Sequence, residues 1–275
     1  MLIRVQGVII RSMEYGEGGK IVTLLTESQG KTGVLIRGAS KPRSRYGSLA
    51  LPFTYGEFVY YKGSGLGTLS SGEIIRPHRK LRENIELAAY ASYAAELTDR
   101  ALQDEEAGSR IFGQLLACFG ALEDGKDPQV TTHVYELKIL QAAGYAPVLD
   151  RCVSCGRTDG LDALAPALGG AVCQACRPDG RLVLRLGDKA MKLMRLLAAV
   201  DLRRLGEVNV GPETKAAVRR GVRALVDEHL PHRLKSRAFL ESLEALGGLP
   251  VPDKPPAPEH GADGRTEGRP RFPGS

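Results

Sequence analysis

Apolar and polar residues change rhythm once along this chain, near residue 80. Before that point short apolar runs alternate with polar positions. Residues 3–11 (IRVQGVIIR), 20–26 (KIVTLLT), 31–38 (KTGVLIRG), 55–62 (YGEFVYYK) and 66–75 (LGTLSSGEII) predict five strands. Glycines at 16, 18 and 19, the pair Gln29-Gly30 and the triplet Gly63-Ser64-Gly65 predict turns between them. Five short strands joined by glycine turns predict a small closed barrel, and the OB-fold has that strand number.

From Leu81 onward the period becomes helical. Leu87, Tyr90, Ala94, Leu97 and Ala101 fall on one face of a first helix, and the acidic stretch 104–108 breaks it. Ser109 reads as the N-cap of a second helix whose apolar face is Ile111, Leu115, Cys118 and Leu122, so Cys118 fills core. A third helix is predicted over 130–143, with Gly144 at its C-cap and Pro147 beyond. Met191, Met194, Leu197 and Leu202 predict a helix over 189–205. Pro212 starts another that runs to His229, and a last helix is predicted over 230–246. The final 29 residues hold six Gly and seven Pro with few apolar groups, which predicts a disordered tail at 247–275.

Between the third and fourth helices stand four cysteines, Cys152, Cys155, Cys173 and Cys176, spaced C-x2-C-x17-C-x2-C. Two residues between ligands let a tight turn aim both thiolates at one ion, and two such knuckles complete an all-sulfur tetrahedron suited to zinc. Gly156 after the first pair supplies the left-handed backbone such a knuckle needs. The alternatives are two disulfides or four unrelated buried thiols. Disulfides require an oxidising compartment, which nothing in the sequence suggests. Four thiolates leave no open coordination position, so the expected zinc is a structural staple.

The overall picture is an α+β chain. It consists of a barrel domain at 1–80 and a helical domain at 81–246 with a zinc module at about 150–180, followed by the tail. No run of residues reaches the length of a membrane span, and Arg4 interrupts the N-terminal apolar run, so neither a membrane anchor nor a signal peptide is expected. The cytoplasm, close to the nucleoid, is the expected location.

The net charge of +6 hides an uneven distribution. Residues 1–80 carry +7, residues 81–176 carry −7, residues 177–240 carry +8 and residues 241–275 carry −2. Two basic blocks around an acidic one suggest a polyanion-binding surface. The most concentrated basic stretch is the loop between the third and fourth strands. There Arg37, Lys41, Arg43 and Arg45 fall within nine residues, with no carboxylate among them. Cations neutralise phosphates and aromatic faces stack on unpaired bases, but the nearby Tyr46 and Phe53 read better as packing residues.

Catalytic signatures are missing. Gly16-Glu17-Gly18-Gly19-Lys20 has neither the spacing nor the hydroxyl of a phosphate-binding loop, the five histidines are scattered, and no nucleophile stands with a base. A non-enzyme is expected.

These parts together resemble the bacterial RecO family of recombination mediators. The likeness is carried by Tyr15-Gly16-Glu17, residues 20–26, Gly30-Lys31, Arg37-Gly38, residues 41–46 (KPRSRY) and Leu51-Pro52-Phe53. It continues through Leu66-Gly67-Thr68-Leu69, Glu73, residues 144–147 (GYAP), the four cysteines with Gly169-Gly170, and residues 234–237 (LKSR), covering about residues 1–246. The resemblance implies an OB-fold that binds single- and double-stranded DNA and anneals complementary strands. It also implies partnership with RecR, and in some lineages RecF, in loading RecA onto DNA coated by single-strand-binding protein. Lys31, Arg37, Lys41, Arg43 and Arg45 match the family's basic barrel face and are the expected DNA contacts. The competing readings are a zinc-stapled RNA-binding or ribosome-associated OB-fold protein, and a scaffold whose basic faces meet acidic proteins.

Overall fold

The computed structural model describes residues 1–63, 65–103, 109–179, 182–230 and 234–246. The tail at 247–275, the acidic stretch 104–108 and Arg181 lie outside the described residues.

Five strands close into a barrel in the order β1-β2-β3-β5-β4. They are β1 (Leu2–Tyr15), β2 (Gly19–Thr26), β3 (Lys31–Ile36), β4 (Tyr55–Tyr61) and β5 (Gly67–Arg76). The parallel β3–β5 pairing closes the wall, and all the other pairings are antiparallel. Every predicted strand is present. β1 runs further than the alternation suggests, because a bulge between Ile9 and Arg11 lets it bend and keep pairing with β2 as far as Tyr15. Val5, Ile9, Val22, Leu24, Val34, Ile36, Phe58 and Tyr60 point inward and fill the barrel.

Among the described residues, seven α-helices follow. They are α1 (Arg79–Glu83), α2 (Ile85–Ala101), α3 (Ser109–Glu123), α4 (Pro128–Ala142), α5 (Asp188–Ala199), α6 (Pro212–His229) and α7 (Lys235–Ala245). Asn84 caps α2 by accepting from the N–H groups of Glu86 and Leu87. Ser109 is itself the first residue of α3, where an N-cap was expected. α4 starts two residues earlier than its apolar period predicts, because Asp127 caps it and Pro128 occupies its first turn. The predicted helix over 189–205 stops at Ala199. The Asp201 carboxylate accepts from the Arg203 N–H and starts a separate 3-10 turn, while Gln114 of α3 bonds both Asp201 and the Leu202 N–H. The last helix begins at Lys235.

A second core starts on the outside of the barrel wall. Val8, Ile10, Leu25 and Phe53 pack with the buried faces of α2, α3 and α4, and Cys118 is fully buried there. Phe53 meets Phe119 edge-on at 5.3 Å, and Tyr55 meets Phe112 at 5.9 Å. One side of the barrel is thus built into the helical body.

The same core continues into a small three-stranded sheet, β6 (Ala163–Ala165), β7 (Gly170–Val172) and β8 (Leu184–Arg185), in the order β7-β6-β8. Gly170 makes a backbone bridge to Val148, and a Cβ on it would stand 2.2 Å from the Val148 carbonyl oxygen. Any side chain there would part the two segments that lead into the cysteine knuckles.

Candidate nucleic-acid interface and metal centre

The four cysteines meet at one end of this sheet. Cys152 follows the bridge at Val148, and its knuckle is closed by the Gly156 N–H donating to the Cys152 carbonyl at 2.9 Å, with Gly156 at φ 76°. Cys173 leaves β7 into a 3-10 turn, and the Cys176 N–H donates back to the Cys173 carbonyl at 3.1 Å. The four sulfurs all lie within 4.8 Å of one another, and Cys155 and Cys173 are 3.8 Å apart. A tetrahedral ion with metal–sulfur bonds of about 2.3 Å sets its sulfurs about 3.8 Å apart, so the cluster fits one such ion.

The electrostatics agree with the geometry. Burial alone would raise the Cys152 thiol, but N–H groups of Cys173, Cys155 and Ser154 outweigh it and pull the thiol down to about 6. Cys176 is pushed up to about 12 by its hydrogen bonds with the Cys155 and Cys173 sulfurs. Four sulfurs this close cannot all ionise without a cation among them.

The basic loop between β3 and β4 is an ordered cap on the barrel. Leu49 and Ala50 insert into the barrel core, and consecutive turns run Lys41 O to Ser44 N, Ser44 O to Gly47 N and Tyr46 O to Ala50 N. The Ser40 N–H donates to Gly18 O at 3.0 Å, which docks the loop on the β1–β2 turn. Arg37, Lys41, Arg43 and Arg45 are all exposed on this cap. Arg43 holds φ 61°, a left-handed backbone that turns the chain at the crest of the loop. Arg45 lies over the Tyr46 ring at 4.5 Å, and the Tyr46 hydroxyl donates to Ser70 O. The aromatics near the loop are packing residues: Phe53 is buried, and Tyr46 braces the loop against β5.

Lys31 stands apart from the other four. Its side chain is 6% exposed, and Nζ donates to the Asp99 carbonyl of α2 at 2.6 Å and lies 3.4 Å from the Asp99 carboxylate. The lysine ties the barrel to the helical body.

Three arginines of α6 and α7 are held by carboxylates of other elements. Arg219 pairs with Glu244 and Arg223 with the fully buried Glu136, while Asp227 holds Arg237. Among the described residues, no helix is long and apolar enough to cross a membrane.

The comparisons with known proteins cover both parts of the chain. The family model for the Recombination protein O N terminal matches residues 1–78, and that for the Recombination protein O C terminal matches residues 82–238. DNA repair protein RecO of Halalkalibacterium halodurans is 37% identical over 247 residues, covering 90% of this chain and 97% of that protein. DNA repair protein RecO of Bacillus subtilis is 38% identical over 249 residues, covering 90% and 98%. Two family models in the right order and relatives matched over nearly their full length show that the chain belongs to the RecO family.

Proposed function

We propose that the chain is a DNA-repair recombination mediator that binds single- and double-stranded DNA through the barrel cap and anneals complementary strands. With RecR it helps load RecA onto DNA coated by single-strand-binding protein, and RecF is a further partner in this reading. The RecO family is a non-enzymatic mediator, so the work is done by binding. One observation carries the reading: four exposed cations, Arg37, Lys41, Arg43 and Arg45, stand on a rigid loop with no carboxylate in it. A fixed, unneutralised cation array releases counterions from a phosphate backbone, and its loop anchorage means little entropy is lost on binding. Lys31 is left out of this array because Asp99 already holds it.

The same reading assigns zinc to Cys152, Cys155, Cys173 and Cys176. Four thiolates leave no position for substrate, so the ion braces the module and takes no part in chemistry.

Arg37→Ala combined with Arg43→Ala is expected to weaken DNA binding by about 1–3 kcal/mol and to lower the salt slope by up to about two. Arg219→Ala with Arg220→Ala is expected to cost less affinity, because Arg219 already has Glu244. Titrations of matched single-stranded DNA, duplex DNA and single-stranded RNA across a salt series measure this. If the helix pair abolishes binding and the loop pair does nothing, the barrel assignment is wrong. A clear preference for the RNA would favour the RNA-binding alternative.

Annealing by a protein without a nucleotide site works by concentrating strands and screening their repulsion. It is expected to proceed without ATP and to pass through an optimum in protein-to-DNA ratio, since fully coated strands repel each other. A fluorescence-quenching annealing assay with a protein titration reads both features.

A further inference from the structure

The outward side of the β1–β2–β3 wall carries an arrangement that the cation array does not use. Register places Met13 opposite Ile21 and Ile21 opposite Leu35, three apolar residues in one row across the strands. Met13 is 41% exposed, and Ile21 and Leu35 are half-buried. One row toward the open end, Tyr15 stands opposite Gly19, and Arg37 follows the end of β3. Tyr15 is 53% exposed, and its hydroxyl makes no hydrogen bond to the described residues. A Cβ on Gly19 would come within 2.9 Å of the Tyr15 carbonyl oxygen, so the neighbouring position must stay bare. One row the other way lie Arg11, Thr23 and Gly33, and beyond them Lys31 and Asp99 mark where α2 covers the wall.

The result is an open apolar floor with an aromatic ring at one end and an arginine near each end. Arg11 and Tyr15 are about 13 Å apart along β1 at about 3.3 Å per residue. The tip of the β1–β2 turn also touches the basic cap, since a Cβ on Gly18 would stand 3.0 Å from Cγ of Lys41. Glu14 faces the cap as well, accepting from the Ser40 hydroxyl and lying 3.2 Å from Lys20, while Glu17 is exposed at the tip. Arg11 lies 4.0 Å from the Asp99 carboxylate, so phosphates are drawn toward Arg37 and Lys41, and the floor beside them suits flat, uncharged groups.

We propose that this face takes the unpaired bases of single-stranded DNA, with Tyr15 as the stacking platform. Every base presents a π-face, so stacking on an exposed aromatic ring is sequence-tolerant, and Arg37 and Lys41 beside the ring meet the backbone. A duplex keeps its bases stacked inside and offers Tyr15 none. The proposal rests on the reading of the barrel as a DNA-binding domain, and it divides that site in two. The cap serves any phosphate backbone, whereas Tyr15 serves single strands alone.

The sequence contains no tryptophan, so Tyr15→Trp introduces a single indole reporter. Its fluorescence is expected to be quenched by oligo(dT) and left unchanged by an abasic strand of equal length. Tyr15→Ala is expected to weaken oligo(dT) binding about tenfold, to leave duplex affinity unchanged and to erase the preference for oligo(dT) over the abasic strand. Tyr15→Phe is expected to retain that preference. The proposal is overturned if the indole is not quenched, if Tyr15→Ala weakens duplex and single strand equally, or if it alters self-association or protein partners and not oligo(dT). Loss of binding in the Arg37 and Arg43 variant with no effect at Tyr15 leaves the cap reading standing and this one rejected. No effect of the cap variant rejects the cap reading, and the indole signal still decides this one.

Discussion

Cys152→Ser is expected to lower the thermal midpoint by on the order of 10 °C and to release the bound ion, while DNA affinity measured well below the melting range stays unchanged. Structural zinc contributes about 10–16 kcal/mol in small peptides that fold around it. Here the module also leans on a core of its own, because Leu161, Leu164, Ala165 and Val172 are buried with the helical body. The cost is therefore a fraction of the peptide value, and about 2–4 °C is lost per kcal/mol in a domain of this size. Cys152 is the telling position because it is buried and the Cys173 N–H points at its sulfur at 3.5 Å, so its loss disturbs both knuckles. The cap is anchored by Leu49 and Ala50 in the barrel core, whereas Cys152 belongs to the core of the helical body, which is why affinity should survive. Elemental analysis of protein purified without chelator should find one zinc per chain. Finding no metal would reject the assignment, and equal melting of wild type and Cys152→Ser would reject the staple.

What could be read in the chain beforehand was whatever is written locally. Strand alternation between residues 3 and 75 marks inward positions because side chains switch faces every residue, and Val22, Leu24, Val34 and Ile36 are indeed fully buried. The cysteine spacing was equally legible, since each knuckle closes through its own backbone within a few residues. The early start of α4 is also written locally, in the pair Asp127-Pro128, whereas the apolar period begins only at Val130. Long-range pairing could not be read. Lys31 resembles its basic neighbours in every local respect, yet its fate is set by Asp99, 68 residues away, where α2 crosses the barrel wall. Arg219 and Arg223 have nearby carboxylates at Asp227 and Glu228 but take Glu244 and Glu136 from α7 and α4. A helix's partners are chosen by the faces it packs against, and sequence separation carries no information about that.

Glu136→Gln is expected to destabilise the chain by about 3–5 kcal/mol at neutral pH and to flatten its acid-unfolding curve. Glu136 lies at the centre of the helical body with no exposed surface, 3.5 Å from Arg223 and 2.6 Å from His133 Nδ1, and it accepts the Tyr93 hydroxyl. Burial alone would raise its carboxyl. Arg223 and His133, with hydrogen bonds from His133 and Tyr93, reverse this and hold it down at about 2. A carboxyl depressed in the folded state stabilises fully above its unfolded value near 4.5, and that contribution drains away as pH falls from there toward 2. Glutamine removes the charge and leaves the Arg223 guanidinium, stacked at 4.6 Å on the Tyr93 ring, buried without a counterion. Arg223 already holds Nη1 without a hydrogen-bond partner, so little slack remains to absorb the change. Replacing both partners, as in Glu136→Leu with Arg223→Met, is expected to recover most of the loss, because two well-packed apolar residues remove the desolvation cost together. Urea melts at pH 7 and pH 4 on the wild type, the single variant and the double variant measure all three effects. A single variant as stable as wild type at pH 7, or a double variant no better than the single, would show that the cluster is not a coupled ion pair stabilising the helical body.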